Sequence, residues 1–520
     1  MTVRVLLAVL ALAWFGTLGV RPLYKADESR YAEIPREMVA SGDWITPRLN
    51  GFKYFEKPPL QYWATAGFFK VFEVADWSAR LWTALAGFAG IFMVLFAGRR
   101  LFGAPAGVYA AAVLAGSPLY VMLGQVNTLD MGLTFFLSAA VFAFALGHML
   151  LFWAACALAV LSKGLVGIVL PLAAIALYIL IKRDWGLIRR MRIVPGVILF
   201  LLIAAPWFVA VSIANDEFLR FFFIQEHFQR FTSRIHGRYQ PVWYFLPILA
   251  AGILPWLLPL GRALYSSFKE KTEGFDATLF LGLWALVVFV FFSASGSKLP
   301  SYILPMFPPL ALLVGRWIAT REPRSVLVAQ SALLAAAGLA MAVLAPRLLA
   351  GDAGYVPWLV AAGIVITMAS LGALAMVWQS RLAVATGLLA FGGFACTQIA
   401  LVGHRTLAPE FTVAPTVARL PAPPPAGVSV FTVDAYDHTI PWALRRTVTM
   451  VGYKDELAEA VRWEPQKYIP DLPGFARAWS AAPEAYAFFA ARDFDRLRAE
   501  LALPMQVAAR GPRYVIVRKP

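Results

Sequence analysis

Two carboxylates in this chain stand in settings that suit group-transfer chemistry. Asp27 opens the run Asp27-Glu-Ser-Arg-Tyr31, and Asp130 lies in Asn127-Thr-Leu-Asp-Met131. Each sits at the edge of a long apolar segment. Cations and tyrosines recur in comparable positions: Arg30, Tyr54 and Lys57 in the loop that holds Asp27, then Lys163, then Lys298 and Tyr302. An arginine binds phosphate as a two-pronged fork, a lysine as a point charge and a tyrosine as a neutral donor. A carboxylate beside such a phosphate can act as a base or support positive charge developing on a sugar. Each residue taken singly has a plainer reading. Lysines and arginines snorkel, aromatics form a belt at a membrane surface, and Asp130 is a good helix N-cap.

The elements that carry these residues are membrane helices. Of the 520 residues, 60% are hydrophobic and 15% charged, and the mean hydropathy is +0.68. Soluble domains have roughly 45–50% apolar and about 25% charged residues. A soluble enzyme, a disordered chain and a disulfide scaffold are excluded. Cys156 and Cys396 sit in apolar runs and read as buried thiols. A spanning helix needs about 20 apolar residues. Runs at 3–20, 77–98, 104–123, 131–147, 148–161, 164–181, 193–213, 242–260, 277–293, 302–319, 326–345, 356–378 and 382–402 predict about thirteen. The first lacks a small-residue cleavage site, only Arg21-Pro-Leu-Tyr24 following it, and is kept as a helix. The net charge of +16 fits cytoplasmic loops rich in Lys and Arg, with no nucleic-acid partner. With the N-terminus cytoplasmic, alternate loops hold Arg99, Arg100, Lys182, Arg183, Arg316 and Arg321, and the opposite loops hold few basic residues. The loop at 21–76 and the tail are then external. In that setting the singly plausible readings strain, because mixed charge within a turn or two of the membrane plane lines cavities.

Within 21–76, the stretch after Tyr31 predicts an amphipathic helix along the membrane surface, and Pro58-Pro59 start another over 60–72. The sequence Pro421-Ala-Pro-Pro-Pro425 predicts a stiff linker at 405–425. Beyond it, β-like runs at 428–433, 447–451 and 513–517 alternate with helical patterns at 455–462 and 493–501. That predicts a small α/β domain over 426–520, a lid or docking module without chemistry of its own. The fold class is therefore an all-α polytopic membrane domain, 1–404, followed by this external domain. No internal repeat of the transporter kind is visible.

The motifs Asp27-Glu-Ser-Arg-Tyr31, Gly42-Asp-Trp44 and Tyr54-Phe-Glu-Lys-Pro-Pro-Leu60 closely resemble those of bacterial aminoarabinose transferases that modify lipid A. Leu129-Asp-Met131, Glu226-His-Phe228 and Ser297-Lys-Leu-Pro-Ser-Tyr302 are similar to the same family. It belongs with the polyprenyl-phosphate-dependent GT-C glycosyltransferases, alongside the protein O-mannosyltransferases. The resemblance implies a GT-C fold in the bacterial inner membrane, with the active site and the C-terminal domain periplasmic. It implies an undecaprenyl-phosphate-linked sugar as donor and lipid A as acceptor. By the same resemblance Asp27 is the principal catalytic carboxylate and Asp130 its partner. The resemblance also implies that Arg30, Tyr54, Lys57 and Tyr302 bind the carrier phosphate. Lys298 is a further candidate for that phosphate, Glu28 and Lys163 are candidates to contact the sugar or acceptor, and the sugar's amine is left to pair with either Asp130 or Glu28. Glu56 and His227 match positions implied to hold a structural zinc, with no cofactor required for the chemistry. Attaching a cationic sugar lowers surface negative charge and so resists polymyxin and other cationic peptides. Two other readings stay open: a lipid-linked transferase acting on protein or another surface glycan, and a lipid transporter. The identity of the amino sugar and the oligomeric state do not follow from the sequence.

Overall fold

The structure, a computed structural model, describes residues 3–229, 240–270, 274–321 and 323–520, with the side chains of 3–7, 226–229 and 350 left aside. The chain packs as two compact units. One is helical: 1–17, 56–61 and 81–403. The other joins 18–55, 62–80 and 404–520. The first loop, apart from 56–61, thus folds with the C-terminal residues.

Among the described residues the helical unit has seven helices long and apolar enough to cross a membrane, and an eighth if one bent pair is a single span. Four shorter apolar helices accompany them, including Leu129–Ala145 and Met149–Lys163. Where the apolar run has no breaker, the expectation and the helix agree: 356–378 is Val356–Trp378, and 382–402 is Leu382–Gly403. Other runs break. The 104–123 run divides into Ala104–Ala115 and Pro118–Leu123. At the break a Cβ on Gly116 would come 2.6 Å from Ala390 Cα, so only glycine lets the 382–403 helix approach so closely. The 242–260 run becomes Phe245–Gly252 and Leu254–Lys269, bent by 79°, with Pro255 denying the helix a backbone donor. The helix Ile193–Ala214 shows lipid-type solvation: Val194, Leu202 and Ile213 are each more than two thirds exposed. Both cysteines are free thiols; Cys156 is buried as expected, whereas Cys396 is only half-buried.

The second unit contains a six-stranded sheet. Two short strands precede it in the chain, β1 (Arg48–Leu49) and β2 (Phe52–Lys53), which form a hairpin. The sheet itself comprises β3 (Ser429–Val433), β4 (Thr449–Val451), β5 (Tyr468–Ile469), β6 (Ala485–Ala490), β7 (Gln506–Arg510) and β8 (Tyr514–Arg518). Its order is β5-β4-β3-β6-β8-β7: the first four run parallel, β8 is antiparallel to β6, and β7 is antiparallel to β8. Alternation places Phe431, Val433, Phe489, Val515 and Val517 in one core with Phe475 and Trp479. Val430, Phe488, Tyr514 and Ile516 go to the other face, against Ile440 and Val413. The sheet is thus covered on both faces, as parallel strands require.

The linker expected at 405–425 is mostly folded. Val413 and Leu420 enter the second core, and Tyr24 donates to the His404 carbonyl at 2.6 Å. The helix expected to lie along the membrane surface is Asp27–Ser41, and it is buried in protein along most of its length. Its charged residues find partners inside the unit, which removes the need for a lipid surface. Gly42, at φ 74°, ends it. The second expected helix is Leu60–Val71.

Candidate functional site

The first turn of Asp27–Ser41 carries Asp27, Glu28 and Arg30. Two acids there complement the positive end of the helix dipole. The three-residue spacing brings Arg30 alongside Asp27, with Nη1 3.5 Å from the carboxylate. The same Nη1 lies 3.3 Å from the Tyr54 hydroxyl, to which it donates. Arg30 Nη2 makes a closer ion pair, 2.7 Å, with Glu456. The Glu456 carboxylate also meets His438 Nε2, and His438 Nδ1 lies 3.3 Å from the Tyr436 hydroxyl. Asp27 keeps 35% of its side chain exposed, against 4% for Arg30. Arg30 Nε is buried without a hydrogen-bond partner. Burial works against the guanidinium charge, but Tyr54, Glu456, Tyr31 and Asp27 outweigh it and hold its pKa well above the usual arginine value. Burial, with Arg30 adding to it, pushes His438 well below the usual imidazole range.

Tyr54 is delivered by the β1–β2 hairpin. Asn50 and Gly51 adopt φ 53° and 79°, the left-handed pair that a two-residue hairpin turn needs. The Glu37 carboxylate accepts the amides of Asn50 at 2.6 Å and Gly51 at 2.8 Å. The Asn50 side chain pairs with the backbone of Val448, donating at 2.9 Å and accepting at 2.8 Å. Arg48 and Lys53 add bonds to Glu464. The hairpin is therefore fixed from both sides before Tyr54 leaves it.

Glu28 has a different place from the one expected of it. Arg21 grips it through two bonds, 2.5 and 2.9 Å, and Arg80 through two more, 2.8 and 3.1 Å. Arg80 also donates to the carbonyls of Leu18, Arg21 and Pro22. Burial disfavours the Glu28 charge, yet the two guanidiniums hold it well below the usual carboxylate range. A buried carboxylate so occupied is a scaffold, and a sugar contact would have to break it.

The helical unit has its own group. Asp130 lies in the first turn of Leu129–Ala145, where Thr128 is the capping position and makes no side-chain cap bond. Asp130 forms an ion pair with Lys163, and Lys163 Nζ sits 4.6 Å from the centre of the Tyr302 ring. The structure thus brings three expected residues together, and Lys163 meets Asp130 directly. Lys298 donates to the carbonyls of Ser295 at 2.7 Å and Gln240 at 2.9 Å, which anchors its turn. Lys57 donates to the carbonyl of Glu56 at 2.8 Å. The His227 side chain lies outside the described residues. Among the described residues no three of His, Cys, Asp or Glu gather as a metal site.

Sequence reasoning missed Arg21, Arg80, His438 and Glu456. One signal was present. Arg80 stands at the start of the apolar run 77–98, and a charge there calls for a partner. The 426–520 segment offered no comparable sign.

Residues 416–519 match the family described as aminoarabinose transferase C-terminal domain, and 56–209 match dolichyl-phosphate-mannose-protein mannosyltransferase. The chain is 35% identical over 310 residues to an undecaprenyl phosphate-α-4-amino-4-deoxy-L-arabinose arabinosyl transferase of Aeromonas hydrophila, covering 57% of this chain and 56% of that one. For the protein of the same name in Edwardsiella ictaluri the identity is 35% over 326 residues, with 60% and 58% covered. The matched span is thus under two thirds of these curated relatives. Among solved structures, ArnT from Cupriavidus metallidurans bound to undecaprenyl phosphate superposes with a TM-score of 0.91, at 37% identity, over 99% of this chain and 97% of that one. The archaeal oligosaccharyltransferase AglB from Archaeoglobus fulgidus shares the fold, with a TM-score of 0.51 at 14% identity over 94% and 69%.

Proposed function

We propose that this chain, which belongs to the aminoarabinose transferase family, moves 4-amino-4-deoxy-L-arabinose from undecaprenyl phosphate to a lipid A phosphate. The observation that carries the reading is the Asp27–Arg30–Tyr54 group: a part-exposed carboxylate beside a buried arginine with unused donor capacity. In the same reading the chain crosses the inner membrane about thirteen times. The N-terminus is cytoplasmic, and 21–76 and 426–520 are periplasmic.

The reaction breaks the bond between the sugar's anomeric carbon and the carrier phosphate oxygen. A lipid A phosphate oxygen forms the new bond from the opposite face, inverting the centre. Arg30 and Tyr54 stabilise the charge left on the departing phosphate. Lys57 and Tyr302 take that role by family resemblance, and Lys298 is a further cation for it. A phosphate monoester has a second pKa of about 6 and needs little deprotonation at neutral pH. Asp27 therefore orients the acceptor or supports positive charge on the sugar ring, and Asp130, paired with Lys163, assists. This predicts no proton transfer in the chemical step, and a large solvent isotope effect on single turnover would overturn it. If a zinc is held by Glu56 and His227, its part is structural.

The match of 56–209 to the mannosyltransferases favours one alternative, a hydroxyl acceptor on protein or another surface glycan. A lipid A mass spectrum separates the two. Wild type and Asp27→Ala are expressed at matched levels in a host lacking its own transferase but supplying the lipid-linked sugar. The expected result is a gain of one pentosamine in wild type only. No gain, with donor shown to be present, moves the assignment to the alternative acceptor.

A further inference from the structure

The C-terminal domain contributes to the Asp27 group through a loop that its sheet topology makes available. In the order β5-β4-β3-β6-β8-β7, the chain leaves β3 toward β4 on one side, while β6 lies on the other. The carboxyl end of β3 is therefore the point where strand order reverses, the place where open α/β sheets expose functional loops. The residues that follow β3 include Tyr436 and His438, and the loop after β4 leads to Glu456. These meet Arg30: Nη2 to Glu456 at 2.7 Å, Glu456 to His438 Nε2, and His438 Nδ1 to the Tyr436 hydroxyl at 3.3 Å.

The direction of these bonds can be worked out. His438 is 5% exposed, and burial and the neighbouring guanidinium both oppose a second proton on it. A carboxylate accepts only, so the imidazole proton belongs on Nε2, facing Glu456. Nδ1 then accepts from Tyr436, whose phenol stays protonated because burial and the surrounding carboxylates raise its pKa. Tyr436 thus donates to His438 and His438 to Glu456, whose carboxylate accepts from Arg30 on its other side. The guanidinium has two carboxylates to choose between. It sits 2.7 Å from Glu456 and 3.5 Å from Asp27. Without Glu456, Asp27 is the remaining carboxylate beside it among the described residues, with only the neutral Tyr54 hydroxyl to share it, and a fork–fork pair would occupy both carboxylate oxygens.

We propose that Glu456, oriented by His438, is a positioning residue that holds Arg30 away from Asp27, leaving the carboxylate open to the reactants. The inference rests on the transferase reading for its consequence and on geometry alone for its cause, so two measurements separate them. The first needs no turnover. Carbodiimide labelling of carboxylates in the purified full chain, read by peptide mass spectrometry, should show Asp27 labelling fall about threefold or more in Glu456→Gln, while Glu28 and Glu33 stay unlabelled. The second is steady-state transfer. The kcat should fall about tenfold or more, on the scale of one charge-assisted hydrogen bond, with the donor KM changed less than about threefold.

Unchanged Asp27 labelling overturns the proposal, whatever happens to activity. Reduced labelling with unchanged kcat in an enzyme that does transfer also overturns it. If wild type transfers nothing, the labelling result still decides the positioning and the functional reading fails separately. Should Glu456→Gln expose Glu28 or Glu33, showing a disturbed fold, His438→Gln decides. It leaves Glu456 charged but unsteered, and Asp27 labelling should fall in the same direction by a smaller factor. No fall there overturns the proposal.

Discussion

Asp27 and Glu28 are neighbours in the chain, on the same turn of one helix, and their surroundings differ in kind. Glu28 is buried and held by four short bonds from Arg21 and Arg80. Those arginines are seven and 52 residues away, and Arg80 also closes on three carbonyls of the turn before the helix. Asp27 keeps a third of its side chain exposed and has a single 3.5 Å approach from a guanidinium better held elsewhere. The difference teaches which charge is structure and which is site. A carboxylate whose acceptor capacity is filled inside the protein holds the fold. One left under-filled, beside a cation that is also under-filled, is ready for something that arrives.

The comparison fails if the two residues respond alike to loss of charge. Asp27→Asn should reduce transfer about a thousandfold, near 4 kcal/mol of barrier, with thermal stability within about 0.5 kcal/mol of wild type. Glu28→Gln should do the reverse. It leaves two buried guanidiniums without their counter-charge and should cost about 3–5 kcal/mol of stability, measured by denaturation in detergent. The protein that remains folded should still transfer. The pH dependence has a fixed sign. The folded pKa of Glu28 lies below the unfolded value of about 4.3, so its contribution is fully present above that pH. It is lost as pH falls through the lower, folded value. The stability gap between wild type and Glu28→Gln should therefore be flat from about pH 8 to 5 and narrow only in stronger acid.

A smaller effect sharpens the account of the Asp27 side. Arg30→Lys keeps the charge but loses the planar fork that reaches Tyr54, Asp27 and Glu456 together. It should lower kcat/KM for the lipid-linked donor about tenfold. Tyr54→Phe removes one neutral donor and should lower it about fivefold, on the scale of 1 kcal/mol. Equal losses from the two would mean that Arg30 acts there as a point charge and not as a fork.

Apolar helices such as Val356–Trp378 could be read from sequence because a continuous apolar run needs no partner to be recognised. Asp27, Arg30 and Tyr54 were legible because unusual polar residues crowded one short loop, and the structure brings those three together. The role of Glu28 was not legible. Charge is local information, whereas its saturation depends on Arg80, 52 residues later. Glu456 and His438 were hidden for the same reason. They lie more than 400 residues from Arg30, in a segment whose pattern shows only strands and helices. The Asn50-Gly51 turn was not read from the sequence, and what it positions depends on Glu37 and Val448 packed around it. The bend of the 242–260 run follows from Pro255 inside an otherwise apolar stretch, a break that hydropathy averages conceal.

The smallest expected effect concerns the metal and tests whether the cation at the Asp27 group is the protein's own. Arg30 is held protonated by Tyr54, Glu456, Tyr31 and Asp27 against the cost of burial, so its charge is present at every working pH. In the proposed mechanism a departing phosphate meets there a fixed positive charge whose supply does not depend on metal availability. Chelation should therefore leave kcat within about twofold, less than 0.5 kcal/mol of barrier. If Glu56 and His227 hold a structural zinc, the same treatment should lower the melting temperature by a few degrees, about 1 kcal/mol of stability. Glu56→Gln should then lower bound zinc, measured by elemental analysis, in step with that shift. A tenfold loss of kcat that zinc restores, with the melting temperature unmoved, would assign the metal to the chemistry and reduce Arg30 to one of two cations serving the phosphate.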